Sequence, residues 1–137
     1  VLGYVWDELP DLYAITDVYC SPSVMEGFGM SVQEAAATKA PIVGSEHIPF
    51  VDEYLLGDDV HTESLPGGEG ELRVGDGAIV VAADDAGAYA AALEKLLQDE
   101  ALRRKMGERA YDITIPHFTW EEMTERFLDA LQWEPAK

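Results

Sequence analysis

The chain has 137 residues and a mass of 15.0 kDa, the size of one domain rather than two. Apolar residues make up 47% of it, enough for a core, and no apolar run approaches the ~20 residues of a membrane-spanning helix. Nine Lys and Arg against 27 Asp and Glu leave a formal charge of −18, which argues against nucleic acid or anionic lipid as partners, and the single Cys20 excludes an internal disulfide.

In chain order, Val1–Val5 reads as a short strand, and Leu9, Leu12, Tyr13 and Ile15 place a helical stripe between Glu8 and Thr16. Val18–Ser21 is an apolar run stopped by Pro22, the size of a buried strand, so Cys20 is expected as a core thiol. A Gly-rich turn, Glu26-Gly27-Phe28-Gly29, leads to Ser31-Val-Gln-Glu34, the pattern of a capping box opening an Ala-rich helix to about Thr38. Ile42–Gly44 is a second buried strand, and Val51–Leu56 a brief helix. Residues 57–77, rich in Gly, Asp and Glu, read as an irregular, mobile excursion. Ala78–Ala82 is a strand. Asp84-Asp85 then precede a helix with Ala90, Leu93, Leu96 and Leu97 on its apolar face. Another helix runs from Glu100 to about Ile113, with Arg103-Arg104-Lys105 as a solvated patch. The last helix, 119–133, opens on the capping box Thr119-Trp-Glu-Glu122 and carries the stripe Trp120, Met123, Phe127, Leu131. Strands alternating with helices predict an α/β fold: a parallel sheet covered by helices on both faces, with ligands at the carboxyl ends of the strands.

The loop after Val18–Ser21 is where chemistry is expected. Gly27 and Gly29 let backbone amides approach a ligand, and the helix start near Ser31 directs positive dipole at the same place, which suits a phosphate or diphosphate. Val32 stands where a dinucleotide fingerprint has its third Gly, and no P-loop lysine follows. Glu26 and Glu34 flank the loop. Carboxylates hold sugar hydroxyls well, since each accepts hydrogen bonds in fixed directions; equally, Glu34 serves as the capping partner of Ser31 and Glu26 as a solvated loop acid. His47 follows a strand end within reach of such a ligand, and His117 shapes a turn; with His61 they are too scattered for a metal site.

Asp17-Val-Tyr-Cys-Ser-Pro22-Ser23, Glu26-Gly-Phe-Gly29, Glu34-Ala-Ala-Ala37 and Pro41-Ile-Val43, in this order, resemble the retaining nucleotide-sugar glycosyltransferases of family 4, whose hallmark E-x7-E is met by Glu26 and Glu34. Glu8-Leu-Pro-Asp-Leu-Tyr13, Gly77-Ala-Ile-Val-Val81 and Phe118-Thr-Trp120 extend the resemblance almost end to end. It implies the Rossmann-like C-terminal half of a two-domain GT-B architecture. It also implies a carboxylate at Glu26 beside the transferred sugar, one at Glu34 on the nucleotide ribose, amides of Gly27, Phe28 and Gly29 against the donor sugar, and Met30 and Ser31 facing the diphosphate. No metal or other cofactor is implied; the partners are a nucleotide-sugar donor and an N-terminal domain of the same chain.

The departures are specific. Lys39 stands where the family has a Gly at the end of the motif helix. Residues 57–75 look like an insertion. No Lys or Arg occurs from Val1 to Thr38, and the basic pair that would grip the diphosphate belongs to the domain expected before Val1. The chain is therefore expected to be one donor-binding domain, 1–137, of a larger cytoplasmic enzyme and inactive alone, with part of the last helix left exposed. The other readings are an isomerase of the sugar-nucleotide 2-epimerase kind and a non-catalytic binding module. Two readings of the acidity also stand open: adaptation to high salt, and an ordinary acidic surface balanced by residues elsewhere in a longer chain.

Overall fold

Short apolar runs separated by Pro, Gly and charged residues fold into a sheet because each run is long enough to cross a small core once. The computed structural model describes residues 7–67 and 70–131; the strand expected at Val1–Val5 and the end of the last helix lie outside them. Three parallel strands, β1 (Tyr19–Ser21), β2 (Ile42–Ser45) and β5 (Ala78–Val81), stand side by side, with Tyr19 opposite Ile42 and Ile42 opposite Ala78. The expected parallel sheet is extended by an antiparallel pair, β3 (His61–Ser64) and β4 (Glu71–Val74), to give the order β1-β2-β5-β4-β3 among the described residues. The stretch 57–77 is thus not irregular throughout. Leu72 and Val74 alternate inward from β4, but β3 lies at the sheet edge and is largely exposed, so it carries almost no apolar pattern to read.

Side chains alternate between two apolar layers. Ile42, Ala78 and Val80 face Val32, Ala35 and Ala36 of α2 (Met30–Ala36) and Phe50, Val51 and Leu55 around a π-helical turn at Val51–Leu55. Val43, Ile79 and Val81 face Ala88, Tyr89, Ala92 and Leu96 of α3 (Ala86–Gln98). The buried face of α3 is therefore rotated from the expected one: Ala90 and Leu97 are exposed, because the bulky Tyr89 takes the inward position beside Ala88. α4 (Glu100–Thr114) gives Met106 to one layer and Ala110 to the other. It crosses the amino ends of the strands, where Gly107 lies against the Lys39 carbonyl too closely for any side chain.

Helix ends are satisfied locally. Asp85 Oδ1 accepts from the Ala88 amide at 2.8 Å and Asp99 Oδ1 from the Leu102 amide at 2.9 Å. Arg103 is not merely solvated: it donates to the Leu96 and Leu97 carbonyls in the last turn of α3. α1 (Leu9–Ala14) rests on α2, and α5 (Trp120–Leu131) opens after Thr119, whose Oγ1 accepts from the Glu122 amide at 3.3 Å; the reciprocal half of the expected capping box is replaced by a bond from the Thr119 amide to the Pro116 carbonyl at 3.0 Å. Cys20 is exposed rather than buried, because β1 stands at the edge of the described sheet; its thiol is nonetheless partly desolvated, which pushes its pKa up. No described helix is long and apolar enough to cross a membrane.

Candidate functional site

The Gly-rich loop leaves the carboxyl end of β1 and turns straight into α2. Gly29 makes that turn in the left-handed region, φ +103°, and a Cβ there would lie 2.5 Å from Ile48 Cγ2, so both backbone and packing demand glycine. Gly27 is different: nothing lies within 4 Å of where its Cβ would be, so the fold leaves that space open.

The turn at Gly29 starts the helix earlier than the capping box implies. Gly29 occupies the N-cap position and Ser31 sits inside the first turn, without a capping bond. Freed of that duty, the Glu34 carboxylate accepts a hydrogen bond from the Tyr13 hydroxyl of α1 at 3.1 Å. Burial of the phenol, then this bond and the charge of Glu34, push Tyr13 well above the usual tyrosine range, so it stays a donor. Among the described residues the amides of Gly27, Phe28, Gly29, Met30 and Ser31 meet no protein acceptor.

Phe28 turns its ring inward. It packs 5.4 Å from Phe50, 6.1 Å from Tyr54 and 5.9 Å from Phe118, centroid to centroid, and its carbonyl accepts from the Phe50 amide at 2.9 Å. Phe28, Tyr54 and Phe118, backed by the buried Phe50, line a groove of about 830 Å³ between α2 and α5. Phe28, Met30 and Glu34 line one side of it and Trp120, Met123, Arg126 and Phe127 the other. Trp120, Met123, Phe127 and Leu131, an apolar stripe of the kind that ordinarily belongs to a core and of which only part is expected at the surface, are all exposed, because no described element covers that face of α5. Of the seven candidate residues the groove gathers Phe28, Met30 and Glu34. Glu26 and Gly27 stand exposed on the loop, Gly29 is buried beneath it, and Ser31 is half-buried on the helix.

Sequence reasoning missed three contributors. Tyr13 lay in the right segment but gave no hint of its bond to Glu34, and Arg126 reaches the groove only because α5 folds back beside α2. Ser45, at the end of β2, is fully buried; its hydroxyl donates to the Ser23 carbonyl and accepts from the His47 amide at 3.2 Å. Beside it the Tyr89 hydroxyl is buried without a hydrogen-bond partner. Ser45 lies near enough to ease the phenol but is committed elsewhere, and desolvation pushes Tyr89 up to about 12. The histidines stay apart: His47 lies 3.8 Å from Glu46, and His61 lies 3.0 Å from Glu63.

Residues 1–113 match the family model for glycosyl transferases group 1. The chain belongs to the group 1 glycosyltransferases. Among relatives of this family, it is 33% identical over 130 residues to the O-antigen chain mannosyltransferase B of Escherichia coli, covering 94% of this chain and 29% of that protein. The chain thus spans less than a third of the length of that relative. Its fold matches sucrose-phosphate synthase from Thermosynechococcus elongatus with a TM-score of 0.74 at 21% identity, over 96% of this chain and 29% of that one. It matches the C-terminal domain of a group 1 family glycosyl transferase from Francisella tularensis with a TM-score of 0.67 at 22% identity, over 87% and 53% of the two chains. A Rossmann-like group 1 glycosyltransferase domain, the C-terminal one of a GT-B architecture, is what the mixed sheet and its flanking helices form.

Proposed function

We propose that this chain is the donor-binding half of a retaining glycosyltransferase that moves a hexose from a nucleoside diphosphate sugar to an acceptor. The observation that carries the reading is the pair Glu26 and Glu34 in its family spacing, one on each side of a loop whose amides meet no protein acceptor. The name of the Escherichia coli relative, a mannosyltransferase, agrees with a hexose donor.

In this reading Glu34, held by Tyr13, takes the ribose hydroxyls, and Glu26 lies at the sugar, where it steadies the oxocarbenium-like transition state. Gly27, Phe28 and Gly29 turn amides to the sugar, and Met30 and Ser31 begin the helix that faces the diphosphate. The acceptor oxygen bonds to the anomeric carbon on the face from which the diphosphate departs, and its proton passes to the leaving phosphate oxygen. Positive charge for the diphosphate comes from the N-terminal half of the larger protein. The reaction uses no metal of the protein's own.

The test is a product assay on the full-length protein with nucleoside diphosphate hexoses, scoring transfer, epimerisation or neither. Glu34→Ala removes a charged hydrogen-bond acceptor and raises donor KM about tenfold or more. Glu26→Ala lowers kcat on the order of a hundredfold with little change in donor KM. Normal kinetics in both variants would end the reading.

A further inference from the structure

A buried serine is expensive to keep unless its hydroxyl is paired, and Ser45, with no exposed surface, is paired twice. We propose that Ser45 is a positioning residue for the donor site, a clip that fixes the loop carrying Glu26 to the loop carrying Glu46 and His47 at the carboxyl ends of β1 and β2. The inference rests on the reading of Glu26 given above.

The geometry of the loop explains why a clip is needed. Its far end is anchored through the Phe28 carbonyl on the Phe50 amide and through the Phe28 ring. Between that anchor and β1, Val24 is 70% and Met25 85% exposed, so neither supplies packing. The near anchor is the Ser45 hydroxyl on the Ser23 carbonyl. Ser23 in turn donates its own hydroxyl to the Met25 carbonyl at 3.2 Å, so the bend Ser23–Met25 is closed on itself and delivers Glu26 as the next residue. The same Ser45 oxygen holds the His47 amide, which sets the spacing between the two loops. Tyr89, beside Ser45 without a partner, takes no part in the clip.

The experiment uses the full-length enzyme and four variants. Ser45→Ala deletes the hydroxyl; Ser45→Thr and Ser45→Val add the same bulk and differ only in the hydroxyl, so their comparison survives any packing penalty. Loss of the clip lets Glu26 drift, and kcat falls about tenfold or more in Ala and in Val relative to Thr, with donor KM nearly unchanged. Amide hydrogen exchange over residues 22–29 quickens in the same two variants. A tie of purely structural value would lower the melting point and leave kcat alone; that result, or unchanged exchange over 22–29, overturns the proposal. Glu26→Gln is measured alongside. Full activity there overturns the reading of Glu26, and with it the catalytic role of the clip, whereas an inactive Glu26→Gln with a fully active Ser45→Ala overturns the clip by itself.

Discussion

Lys39 adopts φ +67°, the one non-glycine among the described residues in the left-handed region. α2 ends at Ala36, and the chain doubles back so that the Lys39 amide reaches the Ala36 carbonyl at 3.1 Å and the Ala40 amide the Ala35 carbonyl at 3.3 Å. That geometry is why a glycine suits the position; lysine accepts the strain and places its ammonium 5.3 Å from the Tyr111 ring centroid. Comparing Lys39→Gly with Lys39→Ala separates the two effects, since both lose the cation. The glycine variant is expected to be the more stable by about 0.5–1 kcal/mol in urea unfolding, after its extra chain entropy is subtracted. A glycine variant less stable than the alanine one, by the entropy cost of glycine alone, would mean that the turn carries no strain. Position 39 was legible as a departure from pattern, whereas Ser31 was misread. Its capping-box spacing is real in sequence, but Ile48 beneath Gly29 decides where the helix begins, and Ile48 is distant in the chain. Cys20 failed for a similar reason: an apolar run announces a strand but not whether that strand lies at an edge.

Elements were legible in proportion to the apolar surface they bury. β2 and β5, buried at every position, and α4, with Met106 and Ala110 inward, lie where periodicity puts them. α3 was placed correctly but turned wrongly, because alanines and leucines on two neighbouring faces offer two equally good stripes, and only Tyr89 against Val43 and Val81 chooses between them. The β3–β4 hairpin was missed because polar contacts help to hold it. Glu63 of β3 accepts from Lys95 of α3 at 3.0 Å, and His61 stands 3.0 Å from its other oxygen. The Lys95 hydrogen bond, chiefly, holds Glu63 below its ordinary value near 4.5. A lowered carboxylate pKa stabilises the fold above the unfolded value, and that contribution is lost as pH falls through the folded one. Lys95→Met should therefore lower stability near neutral pH, by less than about 1 kcal/mol for a pair this exposed, and the difference from wild type should begin to shrink near pH 4.5 and vanish once the pH is below the lowered folded value. A gap between the two proteins that persists in acid would assign the effect of Lys95 to its packing instead.

At the scale of the molecule, the family-spaced glutamates and the strand–helix alternation made fold and family readable, while the groove was not, because it exists only where α5 returns beside α2. Charge acts at the same scale. The formal charge is −18, and among the described residues salt bridges engage only Asp17, Glu46, Asp52, Glu63, Asp76 and Glu122 on the acidic side. Most carboxylates therefore repel one another across the surface, a term that opposes the compact state. The same repulsion opposes association of copies through Trp120, Phe127 and Leu131, which are 85%, 63% and 67% exposed on one helix. Both effects weaken as the Debye length shrinks from about 30 Å at 0.01 M to about 10 Å at 0.1 M and 3 Å at 1 M. Melting followed by far-UV circular dichroism is expected to shift upward across the first step, where most of the screening occurs. A further rise toward molar sodium chloride would favour a surface adapted to salt, since carboxylates that bind hydrated cations go on gaining after simple screening is complete. A plateau after the first step assigns the acidity to an ordinary surface, and a midpoint that does not move with salt at all would show that the surplus carboxylates are too well solvated to strain the fold.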